Sequence, residues 1–187
     1  MSDTVKKLLD AAEDSIRLRG YHAVSFRDLA DELEIKSASV HYHFRHKEDL
    51  GQALVKRYSD SFFASLNAKS VGLTEPRDRI DTFCQVYRQA LVEADRICLC
   101  AMLAAESCGL PAALAKDVAG FLQSNIDWLV DNLPTDLPAS QRLSKAHHIL
   151  SSLQGAMILS KNLDDQSIID QVIADLSLLF GSSQAQS

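Results

Sequence analysis

The chain reads as an all-α protein of about nine helices. Three observations carry this. Apolar residues recur at three- and four-residue spacing in almost every long segment, as on one face of a helix. No stretch alternates apolar and polar residues as a half-buried strand would. The 187 residues include only seven Gly and four Pro, too few for long structureless segments. A composition of 47% hydrophobic and 24% charged residues is that of a globular chain able to bury a real core.

In chain order, Val5, Leu8, Leu9, Ala12 and Ile16 predict a helix from about Asp3 to Arg19, with Gly20 as its C-terminal stop. Ser25 and Asp28 form a box-like S-x-x-D start for the next helix. Its exposed N–H groups suit a phosphate. Leu29, Ala30 and Leu33 form its apolar side, and Glu34-Ile35-Lys36 reads as a turn. Ser37 opens a short third helix, with Val40 and Phe44 inward. A fourth helix begins near Lys47, carries Leu50, Leu54 and Tyr58, and reaches about Ala68. After a loop over residues 71–76, Pro76 opens the fifth, marked by Ile80, Phe83, Cys84, Tyr87 and Leu91. Cys98 to Glu106 reads as a short helix of small residues, and Pro111 opens a longer one through Trp128 and Leu129. The last two span roughly Pro138 to Lys161 and Gln166 to Phe180. The final one has a broad apolar face of Ile168, Ile169, Val172, Ile173, Leu176, Leu179 and Phe180. Residues 182–187 are expected to fray.

The third helix leaves Ser37, Ser39, His41, Tyr42 and His43 facing away from the core. Hydroxyls, imidazoles and a phenol on one exposed helix fit the reading of DNA base edges better than packing. From Lys36 to Lys47 there are three basic residues and no acidic one, although the chain has a net charge of -6. Residues 1–60 are near neutral, with 10 basic and 11 acidic side chains, while residues 61–187 carry 9 and 14. An acidic remainder does not prevent a locally basic rim from meeting phosphate.

Residues Val5 to Leu54 resemble the DNA-binding head of the TetR family of bacterial transcriptional regulators. The matching elements are the first helix ending at Gly20, Ser25-Phe26-Arg27-Asp28-Leu29-Ala30, Ile35 through Phe44, and Lys47-Glu48-Asp49-Leu50. His41 stands where the family commonly has Tyr, and Ala38 where it often has Gly. The resemblance implies a helix-turn-helix DNA-binding domain over residues 1–50 and a ligand-sensing, dimerising domain over 51–187. Ser37, Ser39 and His41 are expected to reach base edges, matching family positions imply phosphate contacts for Arg27, Tyr42, His43 and Lys47, and Ser25, Lys36 and Ala38 complete the expected DNA-binding set. The resemblance also implies a regulator, a repressor, working as a homodimer on a palindromic double-stranded operator. Ser151, Gly155, Ile169, Val172 and Leu176 are the expected dimer surface, with Ser152 and Ala156 equally small. The same apolar face can also close the chain's own core.

An effector pocket is expected among Phe83, Tyr87, Cys98, Met102, Phe121, Asn125, Trp128 and Gln154, which combine aromatic walls with a few polar groups. Core packing is the alternative for such residues at helical spacing. Cys98-Leu99, Leu103-Ala104-Ala105-Glu106, Gln154-Gly155-Ala156 and Ser160-Lys161 resemble the electrophile- and oxidant-responsive repressors of N-ethylmaleimide reductase. That resemblance makes Cys98 a redox candidate and Lys161 the ammonium that favours its thiolate. The alternative is four buried, inert thiols. No cofactor or metal is expected: Cys98 and Cys100 diverge on a helix, as do His147 and His148. Nor is there a nucleophile elbow or P-loop to mark an enzyme. A helical adaptor that binds protein through the last helices is the remaining alternative. With no apolar signal core and no membrane span, the expected location is the cytoplasm.

Overall fold

A computed structural model of the chain describes residues 2–92 and 95–181. Among these residues there are nine α-helices and no strand. They are α1 Asp3–Arg19, α2 Phe26–Glu32, α3 Ser37–His43, α4 Lys47–Ser70, α5 Pro76–Val92, α6 Leu99–Ala105, α7 Ala112–Asn132, α8 Ala139–Leu163 and α9 Ser167–Gly181. The side chains of Leu179 and Phe180, and the expected fraying of 182–187, lie outside what is described. No helix among the described residues is long and apolar enough to cross a membrane.

The chain divides into two compact units. One comprises residues 1–60 and 99–121, the other 61–98 and 122–187. Residues 99–121 thus pack with the first sixty. A leucine of α7 explains part of this. A Cβ on the buried Gly51 would lie 2.8 Å from Leu114 Cδ2 and 3.2 Å from the Tyr21 ring, so a larger residue there would force these side chains to shift.

In the first unit, Leu8, Leu9, Ala12 and Ile16 of α1 are buried together with Leu29 and Ala30 of α2, Val40 of α3, and Leu50 and Leu54 of α4. Local chemistry sets the corners. Ser2 caps α1 by accepting from the Val5 N–H, and Gly20 ends it at φ 82°, donating its N–H to the Ile16 carbonyl. Ser25 caps α2 through the Asp28 N–H. Between α2 and α3 the chain turns at Glu34, a non-glycine residue at φ 54°. Arg57 of α4 reaches α1 with one nitrogen 2.6 Å from Asp10 and another 2.8 Å from Glu13. Arg17 also bonds Glu13 and lies over the Tyr58 ring.

In the second unit, α8 and α9 pack against each other and α5 packs against both. The buried Ser160 hydroxyl accepts the Ile169 N–H at 3.1 Å, closing the turn from α8 into α9. Arg88 of α5 forks onto Asp170 of α9 at 2.5 and 3.3 Å, and Ser177 of α9 donates to Asp81 of α5. The Arg88 guanidinium holds the Asp170 carboxyl below its ordinary pKa, chiefly by the hydrogen bond. A lowered folded-state pKa adds stability that is present above the unfolded value of about 4 and lost as pH falls through the folded one. Arg88→Met is therefore expected to cost stability at pH 7 and to lose that deficit below about pH 4. Urea midpoints at both pH values check it, and an equal deficit at both would refute the assignment.

Candidate nucleic-acid interface and effector site

The α3 helix is only seven residues long, and it has an inner and an outer side. Val40 is wholly buried and Phe44, which ends the helix, is 7% exposed. Lys36, Ser37, Ala38, His41 and Tyr42 are exposed, and Ser39 and His43 are half-buried. Tyr42 is 84% exposed. A shallow groove beside the helix is lined by Ile35, Lys36, Ala38, Ser39, Tyr42 and His43, with Thr4 from α1 on its rim. Most of the α3 side chains expected to meet DNA therefore share one surface.

Residues outside that set hold it in place. The His41 ring stands edge-on to Phe26 of α2, centroids 4.9 Å apart, and the Tyr42 and His43 rings meet edge-on at 5.0 Å. Phe26 gives the exposed His41 imidazole one packing surface on α2. The Ser25 hydroxyl is spent as an acceptor on its cap but keeps a proton to donate. Arg27 lies 3.8 Å from Asp31, both well exposed to solvent, a weak pair that a phosphate can displace.

Lys47 is not free in the same way. It is half-buried, its Nζ donates to the His22 carbonyl at 3.2 Å, and it lies 4.4 Å from the centre of the Tyr21 ring. Burial pushes its pKa down, with Glu106 opposing. Sequence reasoning missed Glu106 here, because it sits 85 residues from the backbone it bonds.

The expected effector residues fall into both units. Met102 and Phe121 belong to the first, where Phe121 packs on Tyr58 at 5.4 Å. Phe83, Tyr87, Asn125, Trp128 and Gln154 come together in the second. There Phe83 stacks on Trp128 at 5.4 Å, and Phe62 of α4 closes on Phe83 and Tyr87. Within this aromatic shell Gln154 donates to the Tyr87 hydroxyl at 3.3 Å, which donates to Asn125 Oδ1 at 3.0 Å. Asn125 and Tyr87 are buried. Gln154 Oε1 is also buried and has no hydrogen-bond partner.

Cys98 is 1% exposed. Lys161 pairs through its Nζ with Asp95 at 2.5 Å, three residues before Cys98. Burial pushes the Cys84 thiol to about 12, so it stays protonated, and Cys108 is exposed. No group of three or more metal-ligating side chains occurs among the described residues.

On the α8–α9 face a groove is lined by Ser151, Ser152, Gly155, Leu159, Val172 and Leu176. Ile169, expected on that face, is wholly buried: its backbone is tied to Ser160, and its side chain serves the unit's own core.

Residues 8–54 match the family model described as bacterial regulatory proteins, tetR family. Over 96% of its length the chain superposes on 98% of a TetR transcriptional regulator from Legionella pneumophila, at 30% identity and a TM-score of 0.89. The chain belongs to the TetR family of transcriptional regulators. An HTH-type regulator encoded in the lacX 3′ region of Lactococcus lactis is 22% identical over 91% of this chain and 89% of its own. The reduced form of NemR from E. coli shares the fold, with 21% identity, a TM-score of 0.80, and coverage of 98% of this chain and 100% of that one. TetR family regulators bind DNA operators and dimerise, and they are not enzymes. This chain is accordingly a DNA-binding regulator of transcription.

Two substitutions probe this geometry. His41→Ala is expected to weaken operator binding about tenfold or more, as removal of a base contact does, with dimerisation unchanged. Fluorescence anisotropy with sedimentation tests it, and unchanged DNA affinity would refute the role of α3. Gln154→Leu removes a buried oxygen that has no donor, at the cost of one long hydrogen bond. Its thermal midpoint is expected to equal or exceed the wild type. A destabilisation above about 2 kcal/mol would mean the amide is fully satisfied.

Proposed function

We propose that the protein is a homodimeric repressor, released from a palindromic operator by a small molecule held in the second unit. The single observation that carries the effector reading is the unpartnered Gln154 Oε1. An aromatic shell with an unused acceptor fits a planar or apolar ligand carrying a hydroxyl or amine donor. Arg27, Tyr42, His43 and Lys47 serve as phosphate contacts, Ser37, Ser39 and His41 face bases, and Ser25, Lys36 and Ala38 belong to the same DNA-binding surface.

Dimerisation through α8 and α9 is supported by Gly155, where an added Cβ would meet nothing within 4 Å. The chain's own packing does not require glycine there, whereas a second helix in close approach does. Ser151, Val172 and Leu176 flank it, with Ile158, Leu159 and Leu163 on the same helix more than two-fifths exposed. Gly155→Leu is therefore expected to give a folded monomer in sedimentation that binds a half-site only weakly. A dimer of unchanged strength would move the interface elsewhere.

An electrophile or oxidant acting at Cys98 is the second reading, favoured by its place directly before α6 on the stretch that Lys161 grips through Asp95. Its burial makes this the weaker one. Selection from a random DNA pool, with reduced and with electrophile-treated protein, separates the two. Enrichment of the same palindrome in both samples is the expected result. A palindrome only in the reduced sample, with the difference abolished by Cys98→Ser but not Cys108→Ser, would replace it with the thiol switch. No enrichment from folded protein would favour a helical adaptor.

A further inference from the structure

We propose that Glu106 is a positioning residue for DNA binding, acting through the backbone corner between α1 and α2. Tyr21 is 4% exposed, so its N–H needs a protein partner. That partner is Glu106 Oε1 at 2.9 Å, from the turn that follows α6. One residue on, the His22 carbonyl accepts from Lys47 Nζ at 3.2 Å. The Tyr21–His22 segment is thus gripped on its donor side by an anion and on its acceptor side by a cation. His22 Nε2 lies 3.9 Å from the other Glu106 oxygen.

Two glycines make room for this grip. A Cβ on Gly20 would fall 2.8 Å from Glu106 Oε1, and a Cβ on Gly109 would fall 2.7 Å from His22 Nε2. The turn bearing Glu106 is itself closed by hydrogen bonds from Glu106 N to Leu103 O at 3.0 Å and from Gly109 N to Glu106 O at 2.8 Å. The carboxylate is therefore presented by a fixed backbone to a fixed backbone.

The corner it holds leads directly to the DNA-facing parts. Ser25, the α2 cap, begins four residues after Tyr21, and Phe26 beside it braces His41. Lys47 opens α4 immediately beyond α3. Without the Glu106 bond, the Tyr21 N–H is left buried and unpaired, and the corner shifts to find water. Such a shift moves the α2 start and Lys47 together. Glu106 itself touches no DNA. The role of Lys47 here rests on the phosphate contacts proposed above.

The test uses the full-length protein and the selected operator, with Glu106→Gln, Glu106→Asp and Glu106→Ala. Gln keeps the length and an acceptor oxygen but not the charge. Asp keeps the charge but is shorter by about 1.5 Å, which takes a 2.9 Å bond beyond hydrogen-bonding range. Operator affinity is expected within about threefold of wild type for Gln, and about tenfold weaker for Asp and Ala, with unchanged circular dichroism. Asp and Ala should also lower the salt slope of binding, by about 0.9 for each phosphate that the protein ceases to neutralise. Asp binding as tightly as wild type, or Gln as weakly as Ala, would overturn the proposal. If Ala does not fold, the Gln-against-Asp order still decides. Lys47→Ala is the control. If it leaves the salt slope unchanged, Lys47 does not meet a phosphate, while the affinity order continues to judge Glu106.

Discussion

A seven-residue helix has no stability of its own in water, and the surface proposed to read DNA is built on one. That constraint organises the first unit. Val40 and Phe44 must be buried for α3 to exist, and Leu29 and Ala30 must be buried for the equally short α2 to exist. Their burial beside Leu8, Leu9 and Ile16 of α1 supplies what helix propensity does not. The polar side of α3 is left over once these demands are met. Recognition and packing therefore share one helix without competing for the same side chains.

Orientation then comes from outside α3. Phe26 fixes the His41 ring, the Ser25 cap fixes the start of α2, and Arg57 holds α1 to α4 through Asp10 and Glu13. The ring contact and the ion pairs join one helix to another rather than acting within one. A helix that meets base edges within a hydrogen-bond length tolerates little rotation, so braces of this kind bear on the proposed DNA binding as well as on folding.

The second unit shows the opposite arrangement. Its centre is polar in part: Gln154, Tyr87 and Asn125 form a chain of hydrogen bonds inside an aromatic shell, and one amide oxygen is left without a donor. A core built only for stability would fill such a place with aliphatic carbon. Around it, Arg88–Asp170, Ser177–Asp81 and Ser160–Ile169 fasten α5, α8 and α9 to one another. The proposed effector site lies at this polar centre.

The sequence by itself determined the helices, most of their ends and the outward polar surface of α3. These rest on local rules: a 3.6-residue apolar period, and Ser25 and Gly20 at helix ends. Observed boundaries fall within a few residues of those read from the sequence, as for α4, which ends at Ser70 rather than near Ala68. The family followed from the same local pattern. Tertiary structure alone decided which distant groups meet. Periodicity marked Ile169 as apolar but could not say that its face turns inward. Nothing in the spacing says that Lys161 pairs with Asp95, 66 residues away. Glu106 lies 85 residues from the Tyr21 N–H whose hydrogen bond it accepts, and no rule of spacing links them. Periodicity and capping act over a few residues, so they specify elements. Long-range hydrogen bonds and ion pairs exist only after those elements have packed.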